Sequence, residues 1–205
     1  MTSSNDQDAM SPPIDLLPAI RSRRSGRAFA PTTVPEEIVE RVFQAARWAP
    51  SGSNGQPWRF VVTHKGSEAF DRLAATLRPG NAWAKDAPIL FLAVVRTVHL
   101  HPDKPPRTNH HALLDLGLAL GQLCVQASAD GVMTHAMGGF ERERAAEAMG
   151  VVEPYEVGVV MAMGYSADPA TLSEELRERE ERPRSRLPLE AIVHRDAFAA
   201  GDDLT

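Results

Sequence analysis

Two short clusters at opposite ends of the chain carry the residue types that a phosphate monoester needs around it. RSRRSGR occupies residues 21–27 and RPRSR occupies residues 182–186. Arginine forks donate paired hydrogen bonds to oxyanions, and a serine hydroxyl can serve a remaining oxygen. If both clusters met in space they would form one strong dianion site. Taken singly, each also reads as an exposed helix end, and the first as a targeting patch or an RNA contact.

A third stretch, APSGSNGQPW (residues 49–58), contains no acid, base or thiol, yet holds two prolines, two glycines, two serines, an asparagine and a glutamine. Asn54 and Gln56 each offer a donor and an acceptor, which suits a heterocycle edge that alternates the two. Pro50 and Pro57 would stiffen the backbone that presents them. The plain alternative is a surface turn. Gly138-Gly139 would let backbone N–H groups approach a ligand with no Cβ in the way, or serve as a loop hinge. Among the seven histidines, His99, His101, His110 and His111 have no carboxylate or cysteine at ligand spacing, which favours solvent-facing loop positions over a metal. No general acid/base pair stands out, which suits a protein whose cofactor performs the chemistry.

These groups need elements to hold them. Residues 14–23 place Ile14, Leu16, Leu17 and Ile20 on helical spacing. Thr33-Val34-Pro35-Glu36 matches a capping box for a second helix, with Ile38, Val39, Val42, Phe43 and Ala46 as its buried stripe. WRFVVTH (58–64) is β-branched and aromatic, a strand. A helix over 67–77 follows, then the strand ILFLAVV (89–95), apolar on both faces and therefore central in a covered sheet. Residues 98–109 read as a loop long enough to be functional. The pattern over 109–130 is apolar nearly all round, with Leu113, Leu116, Leu120, Leu123 and Ala127 on one face and Leu114, Leu118 and Val125 on another. One of its sides is expected to belong to a second subunit. A helix near 141–149 and a buried strand over 156–165 follow. TLSEELREREERPRSR reads as a solvated helix or arm, with Glu175/Arg179 and Glu178/Arg182 spaced for ion pairs. Helices alternating with three or four strands indicate a single sheet layer covered by helices.

The 205 residues suffice for one good core, and the net charge of −5 does not favour nucleic acid or an anionic membrane as partner. The single cysteine, Cys124, suits a reducing compartment and lies in an apolar run, where a buried inert thiol is favoured over a nucleophile. No secretory signal and no run of eighteen apolar residues is apparent, so a cytoplasmic location is expected.

RSRRSGRAF, AARWAPSGSNGQPWRFVV, DGVMTHAMGGF and RPRSRLPLEAIVH, in this order over residues 21–194, resemble the nitroreductase family of FMN-dependent oxidoreductases. The resemblance implies an α+β, three-layer α/β/α fold: a central, mostly antiparallel sheet flanked by helices, in a domain-swapped homodimer. The polar residues 1–12, ending at Pro12-Pro13, read as a disordered tail, followed by one FMN-binding domain over 13–195 and a C-terminal tail over 196–205. Arg23, Arg24 and Ser25 would hold the FMN phosphate and nearby ribityl oxygens, and Arg184 and Arg186 would close on that phosphate. Arg27 would lie by the same pocket or by the nicotinamide nucleotide. Pro50, Ser51, Gly52, Asn54 and Gln56 would reach the flavin of the partner subunit. Gly138 and Gly139 would present backbone groups to its reactive edge. The implied activity is hydride transfer from NAD(P)H to FMN N5, then ping-pong reduction of a nitroaromatic or quinone, with no side chain as the reacting group. Alternatives within the resemblance are dehalogenation, enone reduction or substrate oxidation, and outside it a non-enzymatic flavin-binding module. Some members carry an acid at the position of Gly138, and many a longer excursion over the flavin than 98–109 provides. That implies a more open site. Residues 81–85 lie where some members contact the ring, and no role is assigned to them.

Overall fold

A strand that is apolar at every position needs cover on both sides, and β2 (Ile89–Arg96) has it. Ile89, Phe91, Ala93 and Val95 point into one core cluster, with Val39, Val42 and Ala46 of α2 (Glu36–Arg47) and Leu116, Leu123 and Ala127 of α4 (Ala112–Ala129). The alternate residues Leu90, Leu92 and Val94 point into a second cluster, with Phe70 and Leu73 of α3 (Glu68–Ala74) and Ala145 of α5 (Arg142–Met149). The period-two pleat thus divides one apolar run between two helix layers. Each large side chain buried this way stabilises by roughly 1.5–3 kcal/mol.

The computed structural model describes residues 15–198 apart from residue 102. The tail expected over 1–12 lies outside the described residues, as does the part of the 196–205 tail beyond Phe198. The sheet has strand order β1-β2-β6-β5, with β1 (Trp58–His64), β5 (Met133–Met137) and β6 (Tyr155–Gly164). Each neighbouring pair is antiparallel. The expected α+β, three-layer arrangement around an antiparallel sheet is the one observed.

Several local expectations need correction. The first helix, α1, is only Pro18–Ser22; a residue before proline is pushed out of the helical region, so Leu17 cannot extend it backward. The capping box does not form, because Pro35 itself stands at the N-cap of α2 and no side chain caps it. Helix α3 is shorter than 67–77, and Ser67 caps it by accepting the Phe70 N–H at 3.2 Å. The loop expected over 98–109 is instead a hairpin of β3 (Val98–His101) and β4 (Lys104–Thr108). Edge strand β5 had no strand reading of its own in the sequence.

Helix α4 buries Ala112, Asp115, Leu116, Ala119, Leu123 and Ala127 on a single face. Leu113 and Leu114 are 68% and 63% exposed, so Leu113 is not part of that face. By length and composition α4 could also cross a membrane, but here its buried face packs on α2 and the sheet. Cys124 is half-buried and accepts a hydrogen bond from Thr134 Oγ1 at 3.3 Å.

Candidate functional site

The Arg23–Arg27 loop is held from three sides. Just after it, Ala28 and Phe29 are buried, and this segment pairs with the residues after β6 through Ala30 N to Tyr165 O at 2.8 Å and Ala167 N to Ala28 O at 2.9 Å. From β5, His135 Nδ1 lies 2.9 Å from Gly26 O. A carbonyl only accepts, so Nδ1 carries the hydrogen. From the C-terminal end, Arg184 donates from Nη1 to Arg23 O at 2.9 Å and from Nη2 to Arg21 O at 2.7 Å. Arg24 Nη2 returns the contact to Arg182 O at 3.3 Å.

The two arginine clusters therefore do meet. They line one pocket of about 270 Å³, with Arg23, Arg24, Ser25 and Arg27 on one wall and Arg184 and Arg186 on the other. Through its two contacts to backbone carbonyls, the Arg184 fork also ties the C-terminal segment down. Partial desolvation, then repulsion from Arg186, Arg24 and Arg23, lowers its pKa.

Arg27 is backed by an aromatic stack. Its guanidinium carbon lies 5.9 Å from the Trp83 ring centre. Trp83 stacks on Phe29 at 6.2 Å and leans on His135 at 4.6 Å. Burial is the main reason the pKa of His135 is lowered; the Arg27 charge adds to it, while the Gly26 hydrogen bond and Glu180 oppose it.

The acidic-basic stretch is not merely solvated. Helix α6 (Glu174–Glu181) forms the expected Glu175–Arg179 pair at 2.7 Å. The helix ends at Glu181 and Arg182 turns out of it, so the Glu178/Arg182 spacing loses its helical geometry. Arg179 and Glu180 line the arginine pocket, and Glu180 accepts hydrogen bonds from Arg27. Sequence reasoning gave no site role to Trp83, His135, Arg179 or Glu180, although His135 lies inside the motif DGVMTHAMGGF, Trp83 inside the 81–85 segment, and Arg179 and Glu180 in the stretch leading into RPRSR.

The other candidates lie elsewhere. Gly138 and Gly139 follow β5. A Cβ on Gly138 would meet nothing within 4 Å, whereas one on Gly139 would be 2.7 Å from Asn81 Nδ2. Asn81 also donates to Gly139 O at 2.9 Å, which places the unassigned 81–85 segment against the glycine pair. Pro50, Ser51, Gly52, Asn54 and Gln56 do not line the arginine pocket of their own chain. Their loop contains a short 3-10 turn, Gly52–Asn54, and in it and just after it Ser53, Asn54 and Gln56 have φ of 52°, 54° and 41°. Left-handed backbone at non-glycine residues stores strain and collects at functional sites. Ser51 Oγ accepts the Gln56 N–H at 3.0 Å, and Gln56 Nε2 donates to Asn54 Oδ1 at 3.0 Å. From α4, Asp115 Oδ1 accepts the Gly52 N–H at 3.1 Å.

Comparison with known proteins bears on the family and the fold. The profile of the nitroreductase family matches residues 20–80 and 75–165. The chain belongs to the nitroreductase family. A solved structure titled as an oxidoreductase containing FMN superposes with a TM-score of 0.89 at 33% identity, covering 98% of this chain and 100% of that one. An uncharacterized 15.4 kDa protein of Mycolicibacterium smegmatis is 37% identical over 143 residues, 66% of this chain and 93% of that protein. An NADH dehydrogenase of Thermus thermophilus is 27% identical over 214 residues, 91% of this chain and 98% of that protein. The matched residues of this nitroreductase-family chain include the Arg23–Arg27 loop, the 49–58 loop and the Gly138-Gly139 pair. The Arg182–Arg186 segment lies beyond the profile match.

Proposed function

We propose that this nitroreductase-family chain is an FMN-dependent oxidoreductase that takes hydride from NAD(P)H and reduces an electron-poor acceptor, nitroaromatic or quinone, in a ping-pong cycle. The observation that carries the reading is the meeting of two arginine clusters, about 160 positions apart in sequence, in one pocket. Such a donor set fits a phosphate monoester: charged forks, a hydroxyl and a concave wall. Bound FMN would supply the two-electron chemistry at N5.

The chain's own residues then bind and orient. Arg23, Arg24, Ser25 and Arg186 take the phosphate. Arg184 holds the wall on which Arg186 stands. Arg27, backed by Trp83, stays directed along the pocket edge, where the ring or the nicotinamide nucleotide is read. Gly138 and Gly139 leave backbone open beside the reactive edge. Residues 13–195 act as one FMN-binding unit.

Pro50, Ser51, Gly52, Asn54 and Gln56 serve the flavin of a second copy in a homodimer. Three features support a second copy. Leu113, Leu114 and Leu118 stand exposed on α4. A Cβ on Gly117 or Gly121 would meet nothing within 4 Å. The C-terminal segment leaves Leu187, Leu189, Ile192 and Phe198 exposed. The dimer would work in the cytoplasm on a small-molecule acceptor.

The test is an anaerobic visible spectrum of the purified protein before and after NADPH and then NADH, followed by a nitroaromatic or a quinone. A flavin band that bleaches with nucleotide and returns with acceptor, together with parallel initial-rate lines, supports the reading. Reoxidation only by a halogenated or enone substrate moves the function to dehalogenation or enone reduction. A flavin band that neither nucleotide bleaches supports a binding role, and a protein that takes up no FMN overturns the proposal.

A further inference from the structure

Glu180 is the one acid lining a pocket whose described walls carry six arginines. Its two oxygens lie 3.0 and 2.9 Å from the backbone N of Arg27, and Oε2 is 3.5 Å from Arg27 Nη1. The side chain is 14% exposed. The approach depends on Gly26, where a Cβ would stand 2.4 Å from Glu180 Oε1. Helix α6 has few other attachments: it contains no fully buried residue, and Leu176, one turn before Glu180, packs on the second core cluster. Leu176 and Glu180 are four apart and so share one face. Two residues beyond Glu180 the chain leaves the helix and runs as the strap over 182–186.

We propose that Glu180 is a positioning residue: it clasps α6 to the Arg24–Arg27 loop and thereby fixes the path of the strap, so that Arg184 and Arg186 arrive in register for a phosphate monoester. The proposal rests on reading this pocket as the phosphate site. A carboxylate among arginines could instead act as a plug that any anion must displace. The contacts argue against that. They fall on the backbone and side chain of Arg27, and leave Arg23, Arg24 and Arg186 to an incoming anion. Holding the strap in place before binding removes ordering entropy that binding would otherwise have to overcome.

Two measurements on the full chain separate these roles, with E180A, E180Q and, as a charge control on the same helix, E178A. The first is FMN affinity of the apo-protein by flavin-fluorescence quenching. The second is the rate of tryptic cleavage after Arg184 without FMN. Under the clasp, E180A binds FMN about tenfold more weakly and is cut several-fold faster, on the scale of one charge-assisted hydrogen bond. E180Q recovers most of both, because its amide oxygen still accepts the Arg27 N–H, and E178A matches wild type. Tighter FMN binding by both E180A and E180Q overturns the clasp in favour of a plug, and unchanged affinity and cleavage in E180A overturn it outright. Should wild type bind no FMN while E180A is still cut faster, the phosphate reading fails and the clasp stands.

Discussion

Arg184 grips the carbonyl oxygens of Arg23 and Arg21 at 2.9 and 2.7 Å, joining the last recognised motif of the chain to the first across 161 and 163 positions. Arg184 also lines the arginine pocket that this contact closes. Its neighbour Arg186 lines the same pocket and contacts only the adjacent Ser185 carbonyl in the described hydrogen bonds.

The two arginines should therefore fail differently. Arg186→Ala removes a charge-assisted contact to the phosphate and should weaken FMN binding by on the order of 1.5–3 kcal/mol, leaving the strap in place. Arg184→Ala should weaken FMN as well, but by releasing the strap, which then becomes sensitive to protease. Arg184→Lys should not restore it, since an ammonium cannot span two carbonyls as a planar fork does. Titration with FMN beside limited proteolysis reads both effects. Equal protease sensitivity in Arg184→Ala and Arg186→Ala would remove the distinction.

Asp115 should matter to the Ser51–Gln56 loop more than any residue within that loop. It is 3% exposed, its Oδ1 holds the Gly52 N–H, and its Oδ2 is buried with no hydrogen-bond partner among the described residues. Asp115→Ala should destabilise by about 1–3 kcal/mol, the usual cost of stranding a buried partner. Asp115→Asn keeps an acceptor for the Gly52 N–H, so it should lie closer to wild type. Urea unfolding at constant slope measures both. An alanine variant as stable as wild type would show that the loop holds itself.

Stability should fall on mild acidification, and His135 should account for part of the fall. Its pKa in the folded chain is held below the ordinary value of 6.5, chiefly by burial. Below that value the unfolded chain takes up the proton first, so unfolding is favoured as pH drops. The contribution is fully present above about pH 6.5 and is lost progressively below it, with a slope of at most about 1.4 kcal/mol per pH unit. His135→Asn retains a donor near the Nδ1 position for Gly26 O and should flatten that slope between pH 5 and 7. A variant with the wild-type slope would assign the acid sensitivity to other groups.

The chemistry-bearing groups were legible in sequence because they are local. Arginine forks, a proline-stiffened polar loop and a glycine pair declare their chemistry through residue type alone. The apolar strand 89–95 likewise announced its central place, because both faces of its pleat are apolar. Where the reading erred, a distant partner or a proline had overruled local pattern. Pro18 shortened α1, Pro35 displaced the capping box, and antiparallel pairing made a hairpin of 98–109. The contact of Glu180 with Arg27, the carbonyl grip of Arg184 and the hold of Asp115 on Gly52 join residues 153, 161 and 63 positions apart. Sequence supplied the donors and acceptors. Only the packing of the sheet, the two helix layers and the returning strap decided which of them meet, because a hydrogen bond depends on distance in space and not on separation along the chain.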